Sequence, residues 1–147
     1  MKVVVQRVKK ASCVVDGNIV GKIQQGFLLL VSFTHQDTNE DVLKMVNKII
    51  KLRIFSDENG KMNLSIDQVG GSILSISQFT LYASLKGLNR PSFTESLGAL
   101  EANKLYEYFN TELAKYIHVE KGIFGADMQI ELINDGPVTI IIDTKEI

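Results

Sequence analysis

Apolar positions fall into short runs with strand character and two longer stretches with helical spacing. Lys2–Val8 is rich in β-branched residues and predicts a strand. Cys13–Asp16 and Ile19–Lys22 flank Asp16-Gly17-Asn18, a favourable hairpin turn. Gly26–Phe33 holds Phe27-Leu28-Leu29-Leu30-Val31, apolar without alternation, the pattern of a central strand covered on both faces. Over Asn39–Leu52, Val42, Met45, Val46 and Ile49 recur at helical spacing. Asn39 is the expected cap, with Glu40 and Asp41 suited to the positive end of the helix.

Arg53–Phe55 and Lys61–Leu64 flank a second turn, Asp57-Glu58-Asn59-Gly60. Gly70-Gly71 precedes a long predicted strand, Ser72–Ala83, and a polar loop over Leu85–Glu95. Ser92 and Glu95 have capping-box spacing, but Gly98 favours a helix start near residues 97–99. Ala102, Leu105, Phe109, Leu113 and Tyr116 form its apolar stripe. Two strands follow, Met128–Ile133 and Val138–Asp143, joined at Asn134-Asp135-Gly136-Pro137. Several strands with two main helices, in no regular βαβ alternation, predict an α+β fold whose sheet is mostly antiparallel or mixed. Without repeats or linkers, residues 1–147 read as a single domain.

Composition adds little beyond this. The chain has 147 residues, 45% hydrophobic and 22% charged, as in an ordinary globular protein. No apolar run reaches the ~18 residues of a membrane span. One cysteine, Cys13, allows no internal disulfide, so a reducing cytoplasm is expected. A net charge of −1 argues against broad charge-driven nucleic-acid binding. Acids are nevertheless absent before Asp16 and between Gln68 and Thr94, where Lys9, Lys10, Lys86 and Arg90 could meet phosphates. A solvated surface explains the same residues.

Familiar catalytic kits are missing. His35 and His118 are the only histidines and stand at no ligand spacing, so neither a metal nor another cofactor is expected. No G-x-S-x-G elbow, phosphate-cradling loop or dinucleotide fingerprint occurs. A hydrolase built here has to act without a histidine base.

Two segments stand out. Ser77-Gln78-Phe79-Thr80-Leu81 places polar groups inside an apolar strand, where they need partners if buried. Strand alternation would put Ser77 and Thr80 on opposite faces unless a bulge intervenes. Asn134-Asp135-Gly136-Pro137-Val138-Thr139 puts a proline at a strand junction, where it cannot donate to a ladder. On pattern alone the first is equally a half-buried strand whose hydroxyls satisfy their neighbours, and the second a rigid turn.

Together the two motifs resemble the D-aminoacyl-tRNA deacylase family, whose S-Q-F-T-L strand and N-x-G-P-V-T loop both stand here unbroken. The resemblance extends to Val4-Val5-Gln6-Arg7-Val8, to Lys86-Gly87 with Asn89-Arg90-Pro91-Ser92-Phe93, and to Gly122-Ile123-Phe124-Gly125-Ala126-Asp127-Met128. It implies a barrel-like, homodimeric hydrolase that cleaves the ester at the 3′ end of tRNA carrying a D-amino acid or glycine. The resemblance places Ser77, Gln78, Phe79 and Thr80 at the terminal adenosine and the ester, with main-chain N–H groups near Phe79 and Thr80 as the oxyanion hole. It makes Gly136-Pro137 a cross-subunit Gly-cis-Pro motif that rejects L residues, and Ala102, Phe124 and Met128 pocket walls. Arg7 would support the active-site strand. Core packing explains Ala102, Phe124 and Met128 equally well, and a non-catalytic RNA-end or protein-interaction module is the competing function. A relative with a trans Gly-Pro bond and relaxed chirality would differ in the strand motif.

Overall fold

The computed structural model describes residues 1–87 and 89–147. Strand β1 (Lys2–Val15) runs through the middle of the molecule and uses both edges. Its first half pairs antiparallel with β3 (Gly26–Ser32) and its second half with β2 (Asn18–Ile23). Along the other edge lies β8 (Gln129–Asp143), also antiparallel. Beyond β3 the sheet continues in parallel through β6 (Ser72–Ser77) to β7 (Val119–Lys121). A separate ribbon joins β4 (Phe55–Ser56) to β5 (Met62–Leu64). The sheet is therefore mixed, as its pattern predicts.

Twist curls this sheet until β2 approaches β6 and β7, so the barrel nearly closes. Gly21 marks the contact. A Cβ there would stand 2.9 Å from Leu74 Cδ1 and 3.1 Å from the Lys121 carbonyl oxygen, so the closest approach needs a residue without a side chain.

Strand periodicity divides the apolar residues between two cores. Val3, Val5, Phe27, Leu29, Val31 and Ile73 point to one side, under helices α1 (Asn39–Ile50) and α2 (Ala99–Leu113). Val8, Ala11, Cys13, Leu28, Leu74 and Ile76 fill the barrel, with Met128, Ile130 and Leu132 at its margin. The unalternating run in β3 is thus covered on both faces. Helix α1 buries Val42, Met45, Val46 and Ile49, the stripe its spacing predicts.

Several local expectations change. Lys2–Val8 and Cys13–Asp16 merge into one strand, because β2 takes over as partner where β3 ends. Thr38, not Asn39, caps α1: the Asp41 carboxylate accepts from the Thr38 N–H at 2.9 Å and from its hydroxyl at 3.1 Å. Met128–Ile133 and Val138–Asp143 belong to one strand from which a short loop is extruded. Helix α2 turns Tyr106 inward and leaves Leu105 half-buried, while Tyr116 lies beyond its end and is exposed. The polar loop over Leu85–Glu95 is closed by an antiparallel bridge between Ser84 and Ser92, and its Leu88 lies outside the described residues. Among the described residues no helix is long and apolar enough to cross a membrane.

Candidate active site

The long strand expected over Ser72–Ala83 stops at Ser77. The Gln78 N–H still donates to the Val31 carbonyl at 2.7 Å, but Phe79–Tyr82 then form a 3-10 turn. Two hydroxyls hold that turn by the Phe79 carbonyl: Ser96 at 2.9 Å and Ser32 at 3.4 Å. A tertiary contact thus overrides a sequence with good strand propensity. Ser77 and Thr80 consequently do not obey strand alternation. Thr80 is exposed, and its hydroxyl accepts from the Gln78 side-chain amide at 2.5 Å.

Under this turn lies a cavity of about 480 Å³. Ser77, Gln78 and Phe79 form one wall, and Phe124, Gly125, Ala126 and Met128 another. Ala102, in the first turn of α2, contributes with Leu97 and Ala99, and Val31, Ser32, Phe33, Ile76 and Ile130 complete the lining. Phe79 is 56% exposed at the cavity, with its ring edge-on to Phe93 at a centroid distance of 5.0 Å. A larger groove of about 640 Å³ lies between Ile50–Arg53 and Asn63–Gln68 and shares no residue with either motif.

The described lining carries no ionisable side chain. What it offers is apolar surface, two serine hydroxyls, one side-chain amide and main chain. Among the described residues, the N–H groups of Phe79 and Thr80 meet no acceptor, being the first donors of the turn. Tyr82, at the far end of that turn, is no base. Burial first, then Asp37, Asp143 and Asp41, pushes its phenol well above the ordinary tyrosine value.

The structure brings Ser77, Gln78, Phe79, Ala102, Phe124 and Met128 to one cavity. It does not bring Thr80, Arg7, Gly136 or Pro137 to the lining. Gly136 and Pro137 are exposed, in a loop extruded from β8 opposite Arg7, and their peptide bond is cis. Asn134 closes the loop's base, accepting from the Val138 N–H at 2.8 Å and donating to the Val138 carbonyl at 3.2 Å. Arg7, nearly buried, donates Nε to the Asp135 carbonyl at 2.9 Å and Nη1 to the Ile54 carbonyl at 2.6 Å. Arg7 thus grips this loop from the edge of β1 that pairs with β8.

Sequence reading missed Ser32 and Ser96, which hold the turn from other segments, and Tyr106, which packs on Phe124. No motif flagged them. Their placement depends on which loops meet.

The sequence profile described as D-Tyr-tRNA(Tyr) deacylase matches residues 4–143. The chain belongs to that family. As a member of it, the chain is a hydrolase acting on aminoacyl-tRNA esters. Similar solved structures include the following two. One is named "c-Myc DNA Unwinding Element Binding Protein", 40% identical, with 97% of this chain and 98% of that chain covered and a TM-score of 0.92. The other is described as a probable eukaryotic D-amino acid tRNA deacylase, 17% identical, covering 96% and 97%, with a TM-score of 0.81. At that identity the second shows the shared fold.

Proposed function

We propose that this deacylase removes D-amino acids, and glycine, from the 3′ end of tRNA, using the cavity under the Phe79–Tyr82 turn as the site for the terminal adenosine and the ester. The observation that carries this reading is the convergence of the Ser77–Phe79 segment with Ala102, Phe124 and Met128, from distant parts of the sequence, on one cavity whose described lining has no ionisable group. The unengaged N–H groups of Phe79 and Thr80 are suited to stabilise charge on the ester oxygen as an oxyanion hole does. With no base in the lining, the terminal 2′-OH of the tRNA helps to activate water, while the protein positions the ester.

The cavity is incomplete as a chiral filter. Gly136 and Pro137 line no part of it in their own chain and stand exposed. In this reading two copies associate and each inserts its Gly136-Pro137 loop into the other's cavity. The loop carbonyls then occupy the space an L side chain would need. Rejection by a clash discriminates more sharply than weak favourable contacts. It also leaves glycine, which has no side chain, as a substrate.

The deciding measurement compares hydrolysis of D-Tyr-tRNA with that of L-Tyr-tRNA by the purified protein. The D ester is expected to be cleaved and the L ester spared. Equal rates on both would sink the reading.

A further inference from the structure

The two unengaged N–H groups of the site are aimed by different means. An amide N–H and the carbonyl of the preceding residue belong to one rigid trans peptide and point in opposite directions. Whatever holds the oxygen therefore aims the hydrogen. The Phe79 N–H shares its peptide with the Gln78 carbonyl, which accepts from the Leu81 N–H at 3.3 Å within the turn. The Thr80 N–H shares its peptide with the Phe79 carbonyl, and that oxygen is held from outside the turn. The Ser96 hydroxyl donates to it at 2.9 Å and the Ser32 hydroxyl at 3.4 Å.

Both serines are fixed by the structure around them. Ser32 ends β3 and is buried, and its hydroxyl forms no other hydrogen bond among the described residues. Ser96 lies shortly before α2. Its N–H donates to the Phe93 carbonyl at 3.0 Å, and it bridges to Thr34. On either side, the Thr34 hydroxyl donates to the Glu95 carbonyl at 2.6 Å and the Leu97 N–H to the Phe33 carbonyl at 3.0 Å. Two hydroxyls donating to the Phe79 oxygen also polarise the peptide, which makes its N–H a stronger donor. With the oxygen drawn toward buried Ser32, the N–H points the opposite way, at a residue that is exposed.

We infer that Ser96, backed by Ser32, is a positioning residue for the hydrolysis: the two hydroxyls fix and polarise the Phe79–Thr80 peptide so that the Thr80 N–H meets the negative charge forming on the ester oxygen. This rests on the oxyanion role proposed above. Both serines act through the peptide, because their hydroxyl hydrogens are committed to the Phe79 oxygen. The charge is present in the transition state and hardly in the bound ester. Loss of a hydroxyl should therefore fall on kcat and leave KM nearly as it was. A serine that only supports the fold would weaken binding and turnover together.

The test is Ser96→Ala on D-Tyr-tRNA, with steady-state and single-turnover rates read beside the unfolding midpoint. A donor misaimed but still present costs less than one removed, so kcat is expected to fall about tenfold with KM within about twofold. Ser96→Thr, which returns a hydroxyl, should recover most of that loss. Two adenosine probes separate aiming from folding. A 3′-amide of D-tyrosine presents a neutral carbonyl, and the matching 3′-phosphonate presents a negative oxygen in its place. Ser96→Ala should weaken the phosphonate about tenfold and the amide hardly at all. Unchanged kcat, or equal losses on the two probes, would overturn the inference. Should Ser96→Ala fail to fold, Ser32→Ala removes the longer bond to the same oxygen and should show the same selective loss at about threefold. A folded Ser32→Ala protein that binds both probes as wild type does would then overturn it. Wild-type protein inactive on D-Tyr-tRNA would defeat the functional reading and this inference with it, whereas an active wild type whose kcat survives Ser96→Ala defeats the inference alone.

Discussion

At Thr80 a hydroxyl sits beside the cavity and invites assignment as a nucleophile, yet its described surroundings lack the base that such a group needs. Among the described residues its partner is the Gln78 amide, which donates to it and cannot take a proton from it. Thr80→Ala should accordingly keep its deacylation rate within about tenfold, since no activated hydroxyl is lost. A substrate ending in 2′-deoxyadenosine should not be turned over. Single-turnover kinetics on both separates the assignments, and a folded, tRNA-binding but inactive Thr80→Ala protein would restore the threonine. Arg7 is a second case where the residue type matters. Its guanidinium donates to two carbonyls, and Asp135 Oδ2 lies 3.6 Å from Nε. Arg7→Met should cost about 3 kcal/mol, two charged hydrogen bonds being lost. It should also lower the D-over-L ratio, because the Gly136-Pro137 loop loses its anchor. Arg7→Lys should rescue neither property, since an ammonium lacks the planar fork. Urea unfolding and paired D and L assays check both points.

Among the elements, α1 and the 3-10 turn behave oppositely. The stripe of α1 is legible in the sequence because amphipathic spacing and burial agree. Its cap reads one residue late because Thr38 and Asn39 are both good capping types and only hydrogen bonding chooses between them. Burial pushes the Asp41 carboxyl up, but the Thr38 N–H and hydroxyl, the N-terminal ammonium and Lys44 outweigh this and leave it below the usual carboxylate value. A depressed carboxylate stabilises the fold above its unfolded value of about 3.9 and loses that contribution as pH falls through the folded value. Asp41→Ala should thus lower stability by about 1 kcal/mol near neutrality. The difference from wild type should shrink below about pH 4. Denaturant titrations across that range read it directly, and a gap that widens in acid would refute the assignment. The 3-10 turn over Phe79–Tyr82, by contrast, is hidden from a linear reading. Its residues favour a strand, and the hydroxyls that bend them come from Ser32 and Ser96.

Across the whole molecule, the separation of Gly136-Pro137 from its own chain's cavity is the feature with the widest consequence. If the site is shared between two copies, neither copy alone discriminates chirality. A chain with an obstructed pocket, Ala102→Phe, and a chain lacking the loop's Gly136-Pro137 pair should each lack D-specific activity. Refolded together they should regain it, because the mixed dimer restores one intact site. Recovery that fails, with mixed dimers shown to form, would place the filter within one chain. The near-neutral charge fits such a small footprint on the tRNA, at its 3′ end rather than along a duplex.

By itself the sequence determined the α+β class, the covering of β3 on both faces, the buried face of α1 and, through two unbroken motifs, the family. These depend on periodicity and on short contiguous segments, which a linear string preserves. Tertiary structure alone decided that the motif strand ends at Ser77, that Arg7 grips the extruded loop and that Tyr106 backs Phe124. Each of these is set by which distant segments supply the hydrogen bonds and packing surface. That information resides in the pairing of β1 with β8 and in the docking of α2, and no local pattern carries it.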